Sequence, residues 1–177
     1  MTMKVLKNVA AVRTAWKWSG EFLRLMSLSG AVCLLDQLFK NAIDTEPEEN
    51  FPREMPGTGG QVKIMRVHNP GFSRGRFGTY PEFVKLVSIT LTGFLAGGLH
   101  ALTVEHPGKF HLRKLGIAFV IGGALSNILD RVRKGKVTDY LNINLPWFKK
   151  LVVNIADLSI YLGGILYVIS AFLKRDE

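Results

Sequence analysis

The sequence predicts a mainly α-helical membrane protein: a four-transmembrane-helix bundle carrying a small extramembrane β-sheet from its first loop. Three observations lead there. Four mostly apolar stretches run from Glu21 to Ile43, Glu82 to Val104, Leu112 to Leu129 and Leu151 to Leu173, and about twenty apolar residues suffice to cross a hydrocarbon core of ~30 Å. Only the first connection, residues 44–81, is long; it is polar, rich in Pro and Gly, and holds a strand-like pattern from Val62 to Val67. Carboxylates, amides and an arginine cluster at the ends of the apolar runs, where charge is costly and marks function.

The 177 residues read as one integral membrane domain. An apolar fraction of 47% does not by itself separate soluble from membrane proteins, so the assignment rests on how the apolar residues are grouped. The formal charge of +9 lies mostly in the tails and connections, where Lys and Arg meet anionic headgroups, and no nucleic-acid-binding motif accompanies it. The lone Cys33 excludes an internal disulfide and a cysteine-based metal cluster.

In chain order, residues 1–20 alternate Lys4, Lys7, Arg13 and Lys17 with Val5, Leu6, Trp16 and Trp18 and contain no acid, which suits a short helix on an anionic leaflet ahead of the first span. The first span ends in Asp36-Gln37-Leu38-Phe39-Lys40, with Asp36 and Lys40 one helical turn apart. A carboxylate at that depth needs a partner, so Asp36 is expected to face the bundle. The first half of the 44–81 loop is an acidic, Pro- and Gly-rich insertion; the second carries the strand and turns at Asn69-Pro70-Gly71. Gly93, Gly97 and Gly98 in the second span suit close helix packing. The third span exits at Asn127-Ile128-Leu129-Asp130-Arg131, and residues 142–150, with Pro146, Trp147 and Phe148, read as an interfacial segment.

A four-pass chain alternates sides. The end of span one, the first loop, the end of span three, the third loop and the start of span four therefore share one face, and Asp36, Asn69, Asn127, Asp130, Arg131, Asp139, Asn154 and Asp157 occupy those five places. Asn127, Asp130 and Arg131 fall at i, i+3 and i+4, and Asn154 and Asp157 at i and i+3, so each group lies on one side of its helix. Lys and Arg divide almost evenly between the two faces, which leaves orientation undecided by charge.

Two carboxylates brought together in a partly dry site share a proton. The ionised member can take a proton from water while the protonated member polarises a carbonyl, which suits peptide hydrolysis without a cofactor. No spaced Ser, His and Asp set and no His-Glu-x-x-His metal motif is present. A small proton-coupled carrier is the reading from another class, but the chain lacks the internal repeat common in such folds.

The motifs resemble the lipoprotein signal peptidases (signal peptidase II), membrane aspartic proteases of bacteria. The likeness spans about residues 30–173 and rests on Asp36-Gln37 with Lys40, Asn69-x-Gly71, Gly122-Gly123-Ala124 through Asn127-x-x-Asp130-Arg131, Gly135-x-Val137-x-Asp139-Tyr140, and Asn154-x-Ala156-Asp157. The resemblance implies Asp139 and Asp157 as the catalytic pair, held by Asn127, Asp130, Arg131 and Asn154, with Asp36, Lys40, Asn69 and Gly71 supporting or facing substrate. It implies no metal and no cofactor. The implied substrate is a prolipoprotein bearing a diacylglyceryl-cysteine, cut just before that residue by a monomer among membrane lipids. The implied location is the bacterial inner membrane, with the active site near the extracytoplasmic face. Spacing alone does not choose Asp139 over Asp130, but Asp130 adjoins Arg131, which should keep it ionised as a structural acceptor, whereas Asp139 has no adjacent cation. The chain departs from the family pattern at Phe72-Ser73-Arg74 after the Asn-x-Gly element, at Phe39, at Ser126 and in the 44–60 insertion. These departures touch the substrate-covering loop, so a specialised relative acting on one particular membrane peptide is the alternative.

Overall fold

The computed structural model describes residues 3–72, 75–144 and 151–173, with side chains from Ser19 onward. Its elements are α1 (Met3–Thr45), β1 (Arg53–Glu54), β2 (Val62–Asn69), α2 (Pro81–Glu105), α3 (His111–Lys134), β3 (Val137–Ile143), β4 (Leu151–Val153) and α4 (Ile155–Phe172). All four helices are long and apolar enough to cross a membrane. The basic start is not a separate helix: α1 passes through it into the first span without a break.

Helix α3 is the centre of the bundle. Over its most apolar stretch 56% of residues are buried, against 17% in each of the other three. Leu99 of α2 and Ile117, Ala118 and Ile121 of α3 form the buried core, with Phe22, Leu25 and Met26 of α1 against it. Large side chains such as Leu38, Phe94, Ile165 and Phe172 point outward, as expected where the solvent is lipid and apolar burial no longer drives helices together.

Close backbone approach does that work instead. A Cβ on Gly123 would lie 2.2 Å from the carbonyl oxygen of Ala156, one on Gly122 2.7 Å from that of Ser29, and one on Gly163 2.4 Å from that of Gly116. Glycines therefore set the contact of α3 with α1 and α4. Gly93, Gly97 and Gly98, the expected packing glycines, have nothing within 4 Å of where a Cβ would stand. They lie on α2, away from any close crossing.

The sheet is antiparallel, in the order β1-β2-β3-β4. The first loop supplies β2, where the sequence suggests a strand, and also β1, which falls in the acidic half expected to be plain loop. The other two come from the third connection, so Leu151–Val153 is strand and not the start of the fourth span. In the predicted interfacial segment, Asn142 and Ile143 close β3, and residues 145–150 lie outside the described residues.

At the end of the bundle away from the sheet, the fully buried Lys114 donates to Glu21 Oε1 (3.0 Å) and to the carbonyl of His106 (2.6 Å), while the backbone N–H of Gly108 donates to Glu21 Oε2 (3.0 Å). This buried pair ties the second connection to α1. Both charges are matched and hydrogen-bonded, the condition under which a buried ion pair is tolerated.

Candidate active site

Helix α3 ends at Gly135, whose φ of +72° is the left-handed turn that glycine accepts without penalty. The chain reverses there into β3, and the N–H of Thr138 donates to Asp130 Oδ2 (3.1 Å), fixing the strand to the helix it has just left. Asp139 follows at once. On β2, Val67 faces Asp139 and Asn69 faces Val137; in an antiparallel pair this puts Asn69 diagonal to Asp139 on the same face. Asn69 Nδ2 donates to Asp139 Oδ2 (3.2 Å).

Asp157 is positioned by its own helix. Asn154 caps α4, its side-chain oxygen accepting from the N–H of Asp157 (2.7 Å), as a cap asparagine does for an otherwise unpaired N–H of the first turn. The same side chain turns its Nδ2 to Asp139 Oδ1 (2.7 Å) and to Asn127 Oδ1 (3.2 Å). One asparagine thus touches both acid-bearing segments. Asn127 Nδ2 completes the set by donating to Asp157 Oδ1 (2.9 Å).

A second layer sets the direction of the Asn127 amide. Lys40, fully buried, donates to Asn127 Oδ1 (2.8 Å), so the amide oxygen faces the cation and its NH2 faces Asp157. Lys40 also pairs with Asp36 Oδ2 (2.7 Å) and Asp130 Oδ2 (3.2 Å). Asp130 is held further by Lys134 (2.9 Å) and Gln37 (3.2 Å). The expectation that Arg131 matches Asp130 is corrected here: the matching cations are Lys40 and Lys134. Arg131 turns away, donating from Nη2 to the carbonyl of Gly71 (2.8 Å) and from Nη1 to that of Asn127 (3.3 Å), over the ring of Phe72. Gly71 cannot be replaced in that turn, since a Cβ would lie 2.2 Å from the carbonyl oxygen of Arg76.

Every site residue expected from the sequence belongs to this one network. Three further contributors carry no assigned role in the sequence reading. Ser126 donates to Asp36 Oδ2 (2.6 Å), and Gln37 donates to Ser126 Oγ (2.9 Å). Tyr140, buried at the end of α1, donates to Asp36 Oδ1 (3.0 Å) and accepts from the N–H of Ile155 (3.2 Å), linking α1 to the start of α4. Its place beside Asp139 in the motif is the signal that points to it.

Asp139 and Asp157 line a cleft of about 60 Å³ together with Asn69, Asn127, Arg131 and Tyr161. Burial, and then the charge of Asp157, push the Asp139 carboxyl up to about 7, against the pull of the Asn69 and Asn154 hydrogen bonds. Phe72, Asn127, Arg131, Asp157 and Tyr161 also border an apolar cavity of about 410 Å³ between α2, α3 and α4. An apolar route thus reaches Asp157 from the side of the bundle.

A four-span membrane protein with an amide-held pair of carboxylates, one buried and one half-buried, beside a small sheet is the class defined by fold and site. The family model described as "Signal peptidase (SPase) II" matches residues 28–173, and the chain belongs to that family. It is 31% identical to the lipoprotein signal peptidase of Moorella thermoacetica, over 82% of this chain and 91% of that protein. To the lipoprotein signal peptidase of Rhizorhabdus wittichii it is 32% identical, over 84% and 86%. Its fold matches a bacterial membrane enzyme solved by the in meso method at 2.3 Å resolution, with a TM-score of 0.70 and 22% identity over 87% of this chain and 93% of the other.

Proposed function

We propose that this chain is an aspartic endopeptidase that removes signal peptides from diacylglyceryl-modified prolipoproteins, cutting just before the lipidated cysteine, with Asp139 and Asp157 as the catalytic pair. The observation that carries the reading is that these two acids, from separate elements, line one small cleft together with Arg131, where amide side chains donate to both and, among the described residues, neither carboxylate forms an ion pair. Belonging to the signal peptidase II family supplies the substrate class.

With one proton between the two carboxyls, the ionised member takes a proton from a water in the cleft as that water attacks the scissile carbonyl carbon. The protonated member donates to the carbonyl oxygen, stabilising the charge that develops there. Collapse of the tetrahedral adduct breaks the C–N bond, and the leaving amine takes the proton gained from water. Asn127 and Asn154 hold the carboxylates in place through these steps. The apolar cavity beside Asp157 lets apolar groups of the substrate approach from the side of the bundle, so the peptide bond can meet the acids without leaving the bilayer.

Mass spectrometry of a lipid-modified precursor before and after incubation with the purified chain tests the reading. Cleavage N-terminal to the modified cysteine is expected. Asp139→Asn and Asp157→Asn should each lower the rate by about 1,000-fold or more while leaving helix content unchanged, in line with loss of an essential acid or base. Near-normal turnover in either variant would overturn the assignment.

A further inference from the structure

The apolar cavity beside Asp157 continues along the bundle into a second one of about 530 Å³, with Val120 of α3 bordering both. This far groove lies between α2 and α4 over Ile117 and Val120, and two of its features are not required by packing. Gly98 of α2 and Gly164 of α4 border it, yet a Cβ on either would meet nothing within 4 Å. Unlike Gly116, Gly123 and Gly163, they bring no helices together; they leave space.

The second feature is Arg113, at the mouth of the groove. Its guanidinium lies over the rings of Phe110 (4.9 Å) and Tyr167 (5.8 Å), and its Nε donates to Ser170 Oγ (3.4 Å). Among the described residues these contacts are two rings and a hydroxyl, none of them anionic. Arg113 stands eighteen residues before Arg131 on α3, which at 1.5 Å per residue is about 27 Å. That nearly equals the ~30 Å hydrocarbon thickness, so with Arg131 at one headgroup level Arg113 sits at the other.

We propose that the far groove is a binding site for an anionic phospholipid of the leaflet opposite the acid cleft, one acyl chain lying in the trough past Gly98 and Gly164 and the phosphate on Arg113. A guanidinium is suited to phosphate oxygens through paired N–H donors, and Phe110 and Tyr167 supply the aromatic level typical of the interface. Charge argues against the other apolar occupant at hand. A signal peptide begins with basic residues, and a signal helix seated along the whole groove would bring like charge to Arg113.

The test uses the full chain, delipidated in detergent and then exposed to phosphatidylglycerol or phosphatidylcholine of the same acyl composition, with bound lipid counted by native mass spectrometry. One retained phosphatidylglycerol per chain is expected, favoured at least fivefold over phosphatidylcholine. Arg113→Gln should bring the two lipids to near parity and Arg113→Lys should restore most of the preference. Gly98→Leu with Gly164→Leu should remove both lipids at unchanged helix content and melting temperature. Retention of phosphatidylglycerol at the parent level in both Arg113→Gln and the groove-filled variant would overturn the proposal. So would a groove-filled variant that keeps its lipid but no longer binds a labelled signal peptide, since the trough would then belong to the substrate.

Discussion

Two groups of carboxylates lie side by side at one end of this bundle, and their surroundings differ in kind. Asp36 and Asp130 are fully buried against Lys40, with Lys134 closing on Asp130. Asp139 and Asp157 are held by Asn69, Asn127 and Asn154. A cation in contact holds a carboxylate ionised; amide donors fix its position and favour the ionised form less strongly, so burial can still raise the acid's pKa. The same side chain thus lies in an ion-paired cluster on one side of Asn127 and among amides on the other. Asn127 is the partition, its oxygen toward Lys40 and its nitrogen toward Asp157.

Removing the cation breaks the comparison most severely. Lys40→Met leaves Asp36 without its ion pair and takes one of two cations from Asp130, and losing one partner of a buried pair costs about 3–5 kcal/mol. Thermal unfolding in detergent should show the largest stability loss of any single replacement in the site. The Asn127 amide also loses the group that orients it, so cleavage should fall even in the fraction that stays folded. A melting temperature near that of the parent would show that amides alone suffice on both sides.

The acid cleft should respond to pH through Asp139. Asp139, raised to about 7 by burial and by Asp157, favours its protonated form in the folded state. Folding therefore carries no penalty from it below the ordinary carboxylate range. A penalty grows as pH rises from about 4 toward 7, by at most about 1.4 kcal/mol for each pH unit, and is constant above. Replacing the acid by Asn removes that penalty, so Asp139→Asn should gain stability over the parent at pH 8, by at most about 4 kcal/mol, and little at pH 4. In parallel, kcat/KM should fall above about pH 7 as the pair loses its last proton. A rate that stays flat to pH 9 would contradict a proton shared in the cleft.

Asn154 tests whether position, with charge left free, is what the amides supply. Asn154→Ala deletes the α4 cap, at a cost of about 1 kcal/mol, and removes the 2.7 Å donor to Asp139. Cleavage should drop by about 10–100-fold, as for other groups that orient a reacting side chain. Asn154→Asp keeps the cap but adds a third carboxylate beside Asp139, and should be the less active of the two. Higher activity in Asn154→Asp than in Asn154→Ala would mean that the cap alone matters.

Much of this arrangement is legible in the chain, for identifiable reasons. The spans follow from apolar run length, and the gathering of Asp36, Asn69, Asn127, Asp130, Arg131, Asp139, Asn154 and Asp157 at one end follows from alternation of sides. What pairs with what does not follow. Lys40 and Asn127 are 87 positions apart, and only the packing of α1 on α3 through Gly122 brings them together. Nor does periodicity tell a packing glycine from a spacing one: Gly123 and Gly98 are alike in the sequence and opposite in the bundle. The strands of the third connection are hidden in the sequence because Leu151–Val153 is as apolar as the helix that follows, and strand and span differ there only in their partners.

Tyr140 is the smallest and most selective test, because it belongs to both regions at once. It follows Asp139 on β3 and points to the opposite face, so its hydroxyl reaches Asp36 on the cation side while accepting from the N–H of Ile155 at the start of α4. Tyr140→Phe keeps the ring, which stacks on Phe39 at 6.3 Å, and deletes only the hydroxyl. Asp36 keeps Lys40 and Ser126, but the N–H of Ile155 is left without that acceptor, and an unmade buried hydrogen bond costs about 1–3 kcal/mol. The loss falls at the first turn of the helix that carries Asp157, not on the acids themselves. Turnover should therefore drop by about tenfold or less with the pH limb of kcat/KM unmoved. A shifted limb in Tyr140→Phe would mean that the hydroxyl couples the two groups electrically, and that the partition at Asn127 is incomplete.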